Sequence, residues 1–348
     1  MKIKDREIGA NSLVYVIAEM SANHNGSLNN AKEIIHATKE SGADCIKIQT
    51  YTPDTMTIDC NKPYFNISTG TWKGDNLYHL YQKAYTPWDW QEQLKEEAEQ
   101  LGMDFLSTPF DNTSVDFLEQ LGVEFYKIAS FELIDLPLMR YVASKGKPMI
   151  ISTGMAELSE IDEAVRAVRS TGNEELALLR CASAYPAVTN EMNLKTMVNM
   201  HEVFQVPVGL SDHSLGSVGA VTAVALGAKI IEKHFCLKRE WGGPDASFSM
   251  EPIEFKAMVE DIRQAEKAIG KVCYGISQQE SSSIVFRRSI FCVKDIKKGE
   301  LLTEENVRII RPGYGLKPKY YSQVLGQKAL QDIQRGTPIQ FEMIGKLL

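Results

Sequence analysis

Eight short runs of apolar and β-branched residues recur over the first part of the chain: 14–19 (VYVIAE), 45–50 (CIKIQT), 104–109 (DFLSTP), 125–130 (FYKIAS), 148–153 (PMIIST), 176–181 (LALLRC), 206–212 (VPVGLSD) and 230–235 (IIEKHF). Helical patterns lie between most of them, such as 28–43 (LNNAKEIIHATKESGA) and 157–172 (ELSEIDEAVRAVRSTG). Several of these stretches end in a glycine followed by an apolar residue, at Gly42, Gly102, Gly122 and Gly227, the pattern of a helix C-cap leading into a strand. Strands alternating with helices specify a parallel sheet. Eight such units are the number that closes a (β/α)8 TIM barrel. An open doubly wound sheet is the competing arrangement, but no G-x-G-x-x-G opens the first helix.

The runs are apolar early and polar at their C-terminal ends. In order, those ends carry Glu19; Lys47 and Gln49; Ser107 and Thr108; Lys127 and Ser130; Ser152 and Thr153; Arg180, Ser183 and Tyr185; Ser211, Asp212 and His213; and Glu232 and His234. Residues two apart on a strand share a face. In a barrel all eight ends converge on one mouth, where barrel enzymes place their chemistry. A Glu and a His within the otherwise core-like IIEKHF then have a reason to be there: they face an active site.

Composition narrows the field. The 348 residues carry a net charge of −7 and are 44% hydrophobic, values of an ordinary globular chain. The charge is spread out, which argues against nucleic acid as a partner. No apolar run is long enough for a membrane span, and the N-terminus lacks a signal-peptide core. Cys45, Cys60, Cys181, Cys236, Cys273 and Cys292 form no C-x-x-C pair. Scattered thiols without export signals predict a reduced, cytoplasmic protein with no zinc cluster.

After residue 270 the pattern changes. Residues 271–285 read as a polar linker, so the predicted organisation is a catalytic barrel over 1–270 and a small β-rich domain over 286–348. The latter contains an internal echo: Asp295 to Gly299 (DIKKG), then Leu302 and Val307, against Asp332 to Gly336 (DIQRG), then Ile339 and Ile344. Two copies of one turn-and-strand element predict pseudo-symmetry. Between them lies RPGYG (311–315), which composition alone reads as a surface turn.

At the mouth, His213 and His234 from adjacent strand ends, with Asp212, Glu232 and Glu19 nearby, can hold a divalent metal with water or substrate completing the shell. They can equally well be hydrogen-bonded strand-end groups. Lys47 and Lys127 inside a barrel need an anion or must lose their charge. Two readings follow: both grip a phosphate or carboxylate, or one is the Schiff-base lysine of an aldolase. The hydroxyls of Thr108, Ser130, Ser152 and Thr153 suit the anion.

Read in order, IAEMSANHNGS, KIQTY, STPF, YKIAS, STGM, GLSDHS, EKHF and GGPDASFSM resemble the sialic acid (nonulosonic acid) synthase family, and DIKKGELLTEENV with RPGYG resembles that family's antifreeze-like (SAF) domain. KIQTYTPDT and GTWKGDNLYHLYQKAYTPWDW are most similar to its pseudaminate-forming members. The resemblance implies condensation of phosphoenolpyruvate with the open-chain aldehyde of an N-acetylated amino sugar, for the pseudaminate type 2,4-diacetamido-2,4,6-trideoxy-L-altrose, with release of phosphate. N-acetylneuraminate or legionaminate synthesis is the alternative. It implies that His213 and His234 hold Mn2+, Mg2+ or Co2+. Lys47, Lys127, Thr108, Ser130 and Ser152 would grip phosphoenolpyruvate, and Gln49 and Tyr185 would line the site. Glu19 and Glu132 are the candidates for handling the proton of the attacking water. Asp245 would contact the sugar, and Arg311 would reach its acyl group across a domain-swapped homodimer. Ser183 stands where sialic acid synthases carry a sugar-contacting Asn, which points away from N-acetylmannosamine. An ice-binding role for the C-terminal unit lacks the Thr-rich surface it would need.

Overall fold

The computed structural model describes residues 1–345 and divides into two compact units, Met1–Gly270 and Lys271–Leu348. The first is a closed barrel of eight parallel strands: β1 (Tyr15–Glu19), β2 (Cys45–Thr50), β3 (Asp104–Pro109), β4 (Tyr126–Ile128), β5 (Met149–Ser152), β6 (Leu176–Cys181), β7 (Val208–Asp212) and β8 (Ile230–His234), with β8 pairing back onto β1. One principal helix follows each strand: α1 (Leu28–Glu40), α2 (Trp88–Gln100), α3 (Asn112–Leu121), α4 (Leu136–Ala143), α5 (Leu158–Arg169), α6 (Lys195–Phe204), α7 (Val218–Ala225) and α8 (Pro252–Ile269). The alternation expected from the sequence is therefore present along the whole unit. Gly122 shows how a helix hands over to a strand: it closes α3 in the left-handed region at φ 72°, and Val123 N–H then bonds back to the Leu118 carbonyl.

Two strand limits differ by two residues from the sequence expectation, and the other differences are of one residue. β4 ends at Ile128, because the chain turns into a short 3-10 segment at Ser130–Glu132. β7 begins at Val208, after Pro207, which has no N–H for a ladder.

Strand periodicity sorts the side chains into two sets. One face of each strand packs against the helices, with Val16, Ile46, Phe105, Ile151, Leu178, Leu210 and Ile231 in that layer. The other face fills the barrel, where Ile17, Leu106, Phe125, Ile150, Ala177, Leu179 and Ile230 form the lower core. A two-strand hairpin, Lys2–Ile3 with Arg6–Glu7, adds the fully buried Ile3 and Ile8 to that core. At Gly209 a Cβ would sit 2.2 Å from the Ile230 carbonyl oxygen, so only glycine lets β7 and β8 come this close. Above this plug the inward residues become polar. Among the described residues no helix is long and apolar enough to cross a membrane.

The second unit carries the sequence echo as a real two-fold relation. Ile296 and Ile333 exchange backbone hydrogen bonds at 2.9 and 2.8 Å. Asp332 Oδ1 accepts from the Lys298 N–H at 2.9 Å, and Asp295 Oδ1 accepts from the Arg335 N–H at 2.7 Å. Each copy thus caps the other's turn. Ile296, Leu302, Val307, Ile333, Ile339 and Ile344 share one small core beside an antiparallel pair, Ser289–Cys292 and Val307–Ile310.

Candidate active site

The inward positions at the C-terminal ends of the strands form a connected charge cluster. Lys47 on β2 forms an ion pair with Glu19 on β1 and lies 3.7 Å from Glu232 Oε1 on β8. Lys127 on β4 reaches the same Glu232 oxygen at 3.4 Å, and Ser211 donates to it at 3.0 Å. Gln49 donates to Glu19 Oε1 at 3.1 Å and to Ser21 Oγ at 3.0 Å. All four charged groups are buried. Burial pushes the Glu19 carboxyl up and lowers the Lys127 ammonium. The desolvation of Lys47 is outweighed by Glu19 and Glu232, which raise it, and that of Glu232 by Lys127 and Lys47, which lower it. The sequence placed Glu232 beside the histidines; its contacts make it the shared counter-ion of both lysines.

Buried polar atoms without a hydrogen-bond partner gather here. Thr108 Oγ1, Glu132 Oε2, Ser152 Oγ, Glu232 Oε2 and His234 Nδ1 are all of this kind. Buried polar groups are nearly always satisfied. Their concentration at one end of one barrel marks a surface shaped for a polar ligand. Burial also pushes the Glu132 carboxyl up to about 7, despite the opposing backbone hydrogen bond and the nearby Lys127.

The imidazoles of His213 and His234 lie with ring centroids 5.4 Å apart. His213 Nδ1 is 3.2 Å from the Ala182 carbonyl oxygen and 3.8 Å from Cys181 Sγ, which leaves Nε2 for a ligand. Burial, the largest cause, with the nearby positive charge of Lys47, holds His234 well below the usual imidazole range and so in the neutral form. Among the described residues no group of three or more His, Cys, Asp and Glu side chains is arranged for a metal. The two imidazoles alone could hold a metal only in an open site, with water or substrate completing the shell.

Around the imidazoles stands an aromatic wall. Tyr185 lies 4.3 Å from His213, Phe248 lies 5.0 Å from His234, and Trp72 lies 5.3 Å from Tyr185, centroid to centroid. Trp72 comes from the long connection between β2 and α2, which is fastened here. Its indole N–H donates to the Pro244 carbonyl at 2.8 Å, and Thr71 Oγ1 donates to the Tyr185 carbonyl. Neither Trp72 nor Phe248 was singled out from the sequence. They lie far from Tyr185 along the chain, and no spacing joins the three.

The remaining expected residues fall around this centre. Ser130 Oγ accepts from the Gly154 N–H at 3.0 Å. Ser183 Oγ lies 3.5 Å from Cys181 Sγ, and a Cβ on Gly154 would meet both Ser183 and Ser130, so glycine permits this approach. The neighbouring His213 overcomes the upward push of burial on the Cys181 thiol and draws it down to about 6. Asp245 is buried, and its Oδ2 faces the Ala22 N–H at 3.4 Å. Four strand-end residues turn away, because alternation puts them on the helix side. Ser107 bonds Thr50, Thr153 bonds the Leu179 carbonyl, Arg180 bonds the Met192 carbonyl, and Asp212 pairs with Lys233. Asp212 is thus not among the carboxylates beside the two imidazoles. Arg311 lies exposed on the second unit.

Comparison with known proteins agrees with this arrangement. The NeuB family model matches residues 34–274 and the SAF domain model matches residues 287–345. The chain is 46% identical to a pseudaminic acid synthase of Campylobacter jejuni, covering 94% of this chain and 95% of that one. It is 45% identical to a pseudaminic acid synthase of Helicobacter pylori, covering 96% and 98%. Among solved structures, the N-acetylneuraminic acid synthetase of Leptospira borgpetersenii in complex with citrate is similar, with a TM-score of 0.73 and 31% identity over 82% of this chain and 94% of that one. With these matches over nearly its full length, the chain belongs to the NeuB family, in which a TIM barrel is followed by an SAF domain.

Proposed function

We propose that the chain is a pseudaminic acid synthase, which joins phosphoenolpyruvate to 2,4-diacetamido-2,4,6-trideoxy-L-altrose and releases phosphate. The observation that carries this reading is the buried pair Lys47 and Lys127, set among the unpartnered Thr108 and Ser152 hydroxyls beside two imidazoles. The two relatives named as pseudaminic acid synthases support the choice of sugar.

Lys47 and Lys127 bind the phosphate and carboxylate of phosphoenolpyruvate, and Thr108, Ser130 and Ser152 donate to its oxygens. Gln49 and Asp245 orient the sugar, while Trp72, Tyr185 and Phe248 shield its aldehyde from bulk water. The enol carbon bonds to the aldehyde carbon, whose oxygen takes up a proton to become a hydroxyl; water adds at the cationic C2, and the resulting tetrahedral centre expels phosphate by C–O cleavage to leave the C2 ketone. Glu132, poised near neutrality, takes the proton of that water on Oε2, and Glu19 holds Lys47 and Gln49 in place. His213 and His234 would hold a divalent ion such as Mn2+, which when bound polarises the sugar carbonyl. The reading includes a domain-swapped homodimer in which the partner subunit's Arg311 serves the sugar acyl group, and a cytoplasmic setting where phosphoenolpyruvate is made.

The test is phosphate release from phosphoenolpyruvate with Mn2+ and, separately, the trideoxy-altrose, the matching 6-deoxy-mannose derivative and N-acetylmannosamine. Turnover with the altrose alone is expected; preference for either manno sugar would make the chain a legionaminate or N-acetylneuraminate synthase instead. One observation favours a second reading: burial lowers the Lys127 ammonium, as a Schiff-base aldolase requires. Borohydride trapping of substrate on Lys127 would establish that chemistry, and chelator sensitivity would count against it.

A further inference from the structure

Behind the two imidazoles, on the helix side of the barrel wall, lies a fully buried ion pair. Lys233 Nζ is 2.7 Å from Asp212 Oδ2, and both side chains have 0% exposure. The two residues are direct cross-strand partners, and theirs is the last pair of the β7–β8 ladder. His213 follows Asp212 and His234 follows Lys233, so each imidazole springs from the residue next to one half of the pair.

The ladder stops just short of His213. Beyond it, the same two charged groups take over. Lys233 Nζ also donates to the Ser214 carbonyl oxygen at 2.5 Å. Asp212 Oδ1 accepts from the Ser214 N–H at 2.8 Å and from Ser214 Oγ at 2.6 Å. Ser214, the residue after His213, is thereby tied to β8 through Lys233 and to the end of β7 through Asp212, where backbone pairing has ended. On the opposite side the His213 carbonyl accepts from the Ala187 N–H at 3.0 Å.

A buried ion pair is a costly way to join two strands, and apolar residues of similar volume often serve stability as well or better. What charge-assisted hydrogen bonds add is direction and fixed length. Residues behind a ligand set commonly orient the ligands in this manner.

We propose that Lys233 and Asp212 are positioning residues which set the separation and tilt of the His213 and His234 rings. Their relevance to catalysis rests on the reading of those rings as the metal-holding pair. The same pair explains why Asp212, although next to His213 in sequence, contributes no carboxylate to the mouth: its oxygens are committed to Lys233 and Ser214.

The test uses the full-length protein carrying Asp212→Asn with Lys233→Met, which removes both charges together and keeps an acceptor for Ser214. Asp212→Glu, which keeps the charge and lengthens the arm, is the second variant. Three readouts are taken: the fold by circular dichroism, Mn2+ affinity by titration calorimetry, and ring positions in a crystal of the variant. Expected are a native fold, Mn2+ affinity weaker by roughly ten- to a hundredfold, and a ring separation displaced from 5.4 Å. A folded variant with wild-type Mn2+ affinity and unmoved rings would overturn the proposal. Loss of folding in both variants would overturn it too, because the pair would then serve the barrel as a whole. A wild-type protein that binds no Mn2+ would sink the metal reading instead, and the ring positions in the variant would then decide the positioning role alone.

Discussion

Lys127 Nζ lies 3.4 Å from Glu232 Oε1, with both side chains buried inside the barrel. The same oxygen is 3.7 Å from Lys47 Nζ, so one carboxylate restrains two ammonium groups. An incoming anion must compete with that carboxylate or share the lysines with it. Glu232→Gln keeps the size and leaves Glu19 as the main counter-charge. The variant should lose on the order of 3 kcal/mol of stability in anion-free buffer, since uncompensated buried charge is costly. Phosphoenolpyruvate should restore its melting temperature by more than it raises that of the wild type. Equal shifts in the two proteins would show that Glu232 does not tune the anion site.

Glu132 should impose a pH dependence of its own. Burial pushes its carboxyl up to about 7 in the folded protein, against an ordinary value of about 4.5. The unfolded chain therefore gives up this proton at lower pH than the folded one does. The stability tied to it is fully present below about pH 4.5 and falls as the pH rises to about 7, by roughly 3 kcal/mol in total. Glu132→Gln should accordingly be more stable than the wild type at pH 8 and no more stable at pH 4. In the wild type, kcat/KM should rise through an ionisation near 7, and the variant should lose that limb along with most of its rate. A variant retaining the inflection would assign it to another group.

His234 is the cleanest probe of the metal reading. His234→Ala should abolish turnover and Mn2+ binding while leaving the circular dichroism spectrum unchanged. A chelator should silence the wild type, and added Mn2+ should restore it. A near-wild-type rate for the variant in metal-free buffer would refute the role given to the two imidazoles.

Much of this site was legible because strand alternation is a strict rule. Lys47 with Gln49, and Glu232 with His234, share faces by simple counting, and the barrel does bring them together. The errors came from reading the end of a strand as if it were a face. Arg180 and Asp212 sit at strand ends but one position out of phase, and the barrel wall turns them toward the helices. Hydrogen-bond partners were hidden for a different reason. Nothing local in GTWKG tells that Trp72 will rest on Tyr185 and bond Pro244, because that contact depends on how a long connection folds back. In the second unit, by contrast, the repeat was visible as spacing alone. Asp295 and Asp332 each cap the turn of the other copy, so one physical solution was written twice.

The RPGYG loop allows a last prediction. Ser289 Oγ donates to the Pro312 carbonyl at 2.7 Å and accepts from the Gly315 N–H at 2.9 Å, which fixes the loop from beneath. A Cβ on Gly315 would come 2.4 Å from the Ile290 carbonyl oxygen, so the chain passes too closely for any other residue. This ordered loop holds out Arg311, whose guanidinium makes no hydrogen bond or ion pair among the described residues. A fixed scaffold presenting an uncommitted, permanently charged fork is suited to a carbonyl or carboxylate acceptor. Arg311→Ala should therefore raise KM for the sugar by about tenfold, the worth of one charge-assisted hydrogen bond, with KM for phosphoenolpyruvate little changed. Ser289→Ala, which frees the loop and keeps the arginine, should produce a smaller rise in the same parameter. If Arg311→Ala weakened both substrates equally, the arginine would be acting on the anion site or on assembly, and the assignment to the sugar would fall.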